Sequence, residues 1–398
     1  MNQLNQSNQS NQLNADTTVG YGLLIYMCIM AVVLTLVLFD FRVPDTIRFS
    51  LMLNLTDFTS NIILFVPAGF LFGLSRRKHR DPFCLMALAF GVLLSLAIES
   101  FQIFISGRYP QLSDIMTNAL GAWLGAILFM VLKRQLRQKQ TFNIFALELH
   151  LMSLIYLLIS LIWLNGLATG EEGSRLWLLL LLGLLGGGVL ILIYKSRFTQ
   201  APRLSPIKLS LFAMGWFFMA AIAAMLNFPK QILAFGILIG LLVQIHARVS
   251  RKAGHVERRF ELPALKMLLP LYAIYLLLLA LWPTTLPIEE WQININFEQL
   301  TFNEKIIFIF RFAEYLAAFT LLSYMVAEIR GRKNEALEKA LGWTFFISVA
   351  AAIFIQVLKT YPALNRISIL PIIITTAASL YGAAIYRLQL SAIEHRDI

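Results

Sequence analysis

The residues able to do chemistry stand out as polar side chains inside otherwise apolar sequence: Asn61, Glu99, Gln102, Arg108, Asp114 and Asn118. Ser95, Glu99 and Gln102 are spaced four and three apart, so on a helix they share one face. Asp114, Asn118, Gly121 and Gly125 follow at four, three and four, giving a second face that is polar at one end and small further in. Asp57 and Asn61 lie four apart in a preceding stretch. A carboxylate placed in hydrocarbon costs several kcal/mol, so Glu99 must be paired or functional. Arg108 is suited to hold a phosphate or carboxylate, and Glu99 and Asp114 to accept hydrogen bonds from hydroxyl or ammonium groups. Gln102, Asn118 and Asn61 would orient the same ligand. As an acid–base pair, Glu99 and Asp114 are also the candidate catalytic residues. The bland alternative is that Glu99 and Arg108 neutralise each other and pin a hairpin.

The elements that must position these groups are membrane helices. The chain has 398 residues, 58% of them hydrophobic and 14% charged. With a mean hydropathy of +0.71, it is too apolar for a soluble enzyme fold. The expected class is all-α, a polytopic membrane protein with about twelve transmembrane helices, since each crossing needs roughly 17–25 apolar residues. They are expected near 20–39, 58–74, 83–105, 112–132, 144–165, 174–194, 207–226, 231–247, 263–283, 305–327, 340–358 and 367–387. The net charge of +11 does not imply nucleic acid, because the cations cluster in alternate loops. Arg76, Arg77, Lys78 and Arg80 form one such cluster, and Lys133, Arg134, Arg137 and Lys139 the next; loop 284–304 carries glutamates and no cation. By the positive-inside rule both termini are then cytoplasmic. The hairpin bearing Glu99 and Asp114 accordingly opens to the outer side.

Gly121 and Gly125 form a G-x-x-x-G spacing that admits a close helix neighbour, expected to be the span holding Asn61. Pro67 and Gly69 weaken that span at mid-membrane and belong to the same packing surface. Residues 1–18 read as a polar, disordered tail, 19–140 as a four-helix unit, 141–262 as a four-helix extension and 263–398 as a third four-helix unit. Arg311 and Glu314, three apart in the tenth span, are expected to pair with each other; nothing in the middle spans implies chemistry. GRYPQLSD at 107–114 matches KTYPALNR at 359–366. Two accounts stay open: a duplicated unit whose second copy lost its polar site, or hairpins alike only in their Leu, Ile and Phe content. Cys28 and Cys84 are read as packing residues. The histidines His79, His150, His246, His255 and His395 form no ligand motif, so no metal or other cofactor is expected.

NIILFVPAGF (61–70), IESFQ (98–102), Gly107-Arg108 and DIMTNALGAWLG (114–125), in this order and spacing, resemble the VanZ-like family of bacterial membrane proteins. Pro44-Asp45 resembles the family's early Pro-Asp motif, but no histidine follows it closely, where the family often has one. The resemblance covers roughly residues 20–135. It implies a place in the bacterial inner membrane and a role in the cell envelope, with envelope-biosynthesis proteins as partners. It also implies a link to teicoplanin-type glycopeptide susceptibility or to envelope polysaccharide. Three functions follow in order. The first is binding or redistribution of a lipid or lipid-linked saccharide headgroup at an outer-leaflet pocket. The second is a membrane enzyme acting on an envelope lipid through the Glu/Asp pair, and the third is small-molecule or proton-coupled transport.

Overall fold

The computed structural model describes residues 20–32, 35–36, 55–76, 83–105, 110–138, 149–169, 173, 175–197, 205–249, 262–281, 302–331, 337–359 and 369–394. These are helices, with no sheet among the described residues. A helix stands at each apolar stretch named above. In order they are α1 (Gly20–Val32), α2 (Leu55–Leu74), α3 (Phe83–Gln102), α4 (Leu112–Gln138), α5 (Leu149–Ala168) and α6 (Leu176–Arg197). There follow α7 (Pro206–Ala220), α8 (Ile222–Asn227), α9 (Pro229–Val249), α10 (Leu262–Leu281), α11 (Phe302–Gly331), α12 (Leu337–Lys359) and α13 (Ile369–Glu394). The seventh stretch is split into α7 and α8 at Ala221. Ser205 opens α7 by accepting from the Lys208 N–H at 3.3 Å, with Pro206 in the first turn, where its missing donor costs nothing. By length and composition, three helices among the described residues can cross a bilayer: Phe83–Gln102, Leu112–Val131 and Pro229–Arg248.

The chain divides into two compact units, Met1–Leu149 with Arg387–Ile398, and His150–Tyr386. In the first, α4 packs against both α2 and α3. Its contact with α2 is backbone to backbone. A Cβ at Gly121 would overlap the Ile62 carbonyl oxygen, one at Gly125 the Val66 carbonyl oxygen, and one at Gly69 the Ala122 carbonyl oxygen. Side chains larger than hydrogen would force the helices apart. α2 runs unbroken through Pro67. The other end of this unit is aromatic: Phe72 stacks on Phe90 at 5.0 Å between ring centroids, and Phe70 meets Phe129 edge-on at 5.5 Å.

In the second unit, α9 lies between α6 and α7. Gly183 and Gly186 leave room for Phe217 and Trp216, and Ser210 Oγ donates to the Gly240 carbonyl at 2.7 Å. α10 joins α11 through Tyr272 Oη, which donates to the Ala318 carbonyl at 2.7 Å. α11 meets α13 through Thr320 and Ser323, which donate to the carbonyls of Ala378 and Ser379 at 3.2 and 2.5 Å. Hydroxyls reaching across to carbonyls are the usual cement where no aqueous alternative exists. Glu314 has a partner that the spacing did not point to. Arg175, just before α6, holds its carboxylate with both oxygens 2.9 Å from Nη2, while the side chain of Arg311 lies outside those described. A partner 139 residues away leaves no local spacing to read.

Large apolar side chains face outward along whole helices, among them Leu85, Leu93 and Leu96 on α3 and Leu233, Ile237 and Leu241 on α9. Water-soluble chains do not sustain such faces, whereas acyl chains cover them without cost. The chain is a membrane protein. Residues 1–18, the Pro-Asp at 44–45, residues 284–301 of the loop 284–304 and the Tyr-Pro at 361–362 lie outside the described residues, and the last residues of that loop, from Phe302, open α11.

The helix contacts give a direct expectation. Gly121→Leu and Gly125→Leu must push α2 from α4 against backbone that cannot yield, and should exceed the ~1–3 kcal/mol usual for overpacking. Gly215→Ala, with nothing within 4 Å of the added Cβ, should leave stability unchanged. Thermal unfolding of the detergent-purified protein separates the two outcomes.

Candidate functional site

Ser95, Glu99 and Gln102 are all buried on one face of α3, at 0, 4 and 4% exposure. Each reaches a different segment. Ser95 Oγ accepts from Asn118 Nδ2 on α4 at 2.8 Å. One turn further on, Glu99 Oε2 accepts from the backbone N–H of Gln111 at 2.9 Å. At the helix end, Gln102 Nε2 donates to the Thr35 carbonyl at 3.0 Å and so holds the chain just after α1. The three side chains thus tie α4, the α3–α4 turn and the α1 segment to one helix.

The turn is organised around Gln111. Its N–H serves Glu99, its carbonyl accepts from the Asp114 N–H at 3.2 Å, and its Oε1 accepts from Ser113 Oγ at 3.3 Å. Asp114 lies in the first turn of α4, where a carboxylate complements the helix dipole. It is half-buried, and Thr117 Oγ1 donates to its carbonyl at 3.1 Å. A short backbone path through Gln111 therefore joins the two candidate carboxylate residues.

Asn118 is buried at 2% exposure, and its Oδ1 has no hydrogen-bond partner. Since Ser95 Oγ can donate or accept, turning the amide over would satisfy the oxygen and leave nitrogen open instead. Either way one polar atom of this amide is reserved. The face drawn through Asp114, Asn118, Gly121 and Gly125 is divided in the structure. Asn118 bonds to α3, while Gly121 and Gly125 pack on α2. Asn61 is half-buried on α2, beside Ile62, whose carbonyl abuts Gly121. Asp57 is in the first turn of α2, with its side chain outside those described, and Arg108 falls in the undescribed 106–109. Gln111 and Thr35 were missed in the sequence. Both contribute backbone groups, which leave no side-chain signal.

Residues 3–133 match the VanZ/LLP1 family. The chain is similar to that family over its first third. Protein VanZ of Enterococcus faecium is similar, at 30% identity over 97 residues, 22% of this chain and 58% of that protein. The chain thus spans less than two thirds of that relative's length. No solved structure matches. The matched region holds α1–α3, most of α4 and all the polar contacts just described, and it begins within the polar tail.

The hydrogen bond at Glu99 separates charge from shape. Glu99→Gln retains an acceptor for the Gln111 N–H and should unfold within about 1 kcal/mol of wild type; Glu99→Leu orphans that part-buried donor and should cost ~1–3 kcal/mol more. Paired thermal melts test this.

Proposed function

We propose that this is a multi-pass protein of the bacterial inner membrane, with about twelve transmembrane helices and both termini in the cytoplasm. Its VanZ-like unit binds the headgroup of a lipid or lipid-linked saccharide at an outer-leaflet pocket and alters how that lipid is distributed or exposed. The observation that carries this reading is the open amide atom of Asn118, buried between apolar helices. An orphaned buried polar atom costs ~1–3 kcal/mol, and a ligand hydroxyl or amide would recover it. Beside it, Glu99 Oε2 accepts from the Gln111 N–H, and a carboxylate offers about four lone-pair sites in all. Asp114, Gln102 and Asn61 would orient the headgroup, with Arg108 on its phosphate or carboxylate. Pro67, Gly69, Gly121 and Gly125 keep α2 and α4 in the contact that holds Asn118 in place. The alternation of basic loops supports the orientation.

The test is a mass-spectrometric profile of envelope lipids and lipid-linked saccharides in a deletion strain carrying wild type, Glu99→Gln or Asn118→Leu at matched expression. We expect one species to change on deletion, with wild type restoring it and each variant restoring it poorly, alongside a parallel shift in teicoplanin-type susceptibility. Full restoration by both folded variants would falsify the pocket. Orientation is checked separately: green fluorescent protein fused after Ile398 should fluoresce, and alkaline phosphatase at the same point should be inactive.

A further inference from the structure

The second unit contains a buried polar cluster assembled from four helices or their ends. Asn165, in the last turn of α5, is fully buried and donates from Nδ2 to Tyr275 Oη on α10 at 2.7 Å and to the Leu161 carbonyl at 2.9 Å. A carbonyl can only accept, so the amide orientation is fixed and Oδ1 is the free end. That oxygen has no partner. Thr169 Oγ1 ties the same turn down through the Asn165 carbonyl at 2.7 Å. Arg175 commits only Nη2 to Glu314, leaving its buried Nε without an acceptor. Tyr275 both takes the hydrogen bond from Asn165 and feels the charges of Glu314 and Arg175, which links the amide to the ion pair.

We propose that this cluster is a second binding site, for a hydroxyl group of an uncharged sugar or glycerol headgroup. Two requirements select that chemistry. Nε–H needs an acceptor and Asn165 Oδ1 needs a donor, and an O–H group can meet either need. Arg175 and Glu314 already balance each other, at 11 and 1% side-chain exposure. An entering anion or cation would add an unpaired charge to an apolar surround, whereas a hydroxyl adds none. Two buried polar atoms are thus held open beside a neutralised ion pair. The site belongs to the part of the chain beyond the VanZ-like region, goes beyond the function proposed above and stands without it.

The experiment uses the full-length protein in detergent, with native mass spectrometry for retained lipid and calorimetry for soluble sugar. The probes are monoglucosyl diacylglycerol, free glucose and phosphatidylcholine, which has no hydroxyl. We expect the glucolipid to be retained in preference to phosphatidylcholine; binding of free glucose alone would make the source a soluble saccharide. Asn165→Leu removes the acceptor. Arg175→Lys removes the Nε donor but keeps a cation opposite Glu314, so the ion pair survives and folding is preserved. Each variant should weaken binding about tenfold, the loss expected for one hydrogen bond to a charged or buried group. The proposal is overturned if wild type binds neither hydroxyl probe above the phosphatidylcholine level. It is equally overturned if Arg175→Lys, shown folded by its melting curve, binds as well as wild type. In either case the open atoms hold a bound water only.

Discussion

The contact of α2 with α4 through hydrogen-for-side-chain positions governs the first unit. With Gly69, Gly121 and Gly125 at the interface, carbonyl oxygens of one helix lie where a Cβ of the other would be. Such proximity fixes both the rotation and the depth of α4. Gly91 does the same on α3, where a Cβ would sit 2.9 Å from the Ala119 Cα. Held between these neighbours, α4 presents Asn118 to Ser95 and its first turn to the residues around Gln111. In a bilayer, packing of this kind substitutes for the hydrophobic drive that stabilises soluble cores, because lipid tails are as apolar as leucine.

A second constraint acts on every polar group: with no water in the hydrocarbon, each must find a partner inside the protein. Most do so. Ser75 bonds back to the Phe72 carbonyl, Ser323 reaches across to Ser379, and Gln102 takes the Thr35 carbonyl. Against that background the open amide ends of Asn118 and Asn165 are exceptions. Each has one end committed to a hydroxyl, of Ser95 in one unit and of Tyr275 in the other. These two amides share a chemical form, although the second lies in a region with no polar signature in its sequence.

Arg175 shows why that region looked empty. A lone arginine after the acidic Glu171-Glu172 reads as an ordinary loop residue beside a leucine-rich span. Its partner Glu314 had a nearer cation at Arg311, and local spacing favoured that pair. Only folding brings Arg175 to Glu314, because sequence distance carries no weight once helices pack side by side. Likewise Asn165, one residue before Gly166, is an ordinary residue in an apolar stretch until Tyr275 arrives from α10.

The sequence by itself determined the all-helical membrane class, the placement of the helices and the polar face of α3. Each is written in local periodicity, since hydrocarbon demands long apolar runs and a helix turns every 3.6 residues. It also marked the glycines of α4, because a four-residue repeat of the smallest side chain is itself the packing signal. Tertiary structure alone decided which atom meets which. It divided the face of α4 between two neighbours, gave Glu99 a backbone donor at Gln111, sent Gln102 to a carbonyl after α1 and paired Glu314 with Arg175. Those outcomes depend on backbone groups common to all residues and on partners far apart in the chain, and neither leaves a mark in the order of side chains.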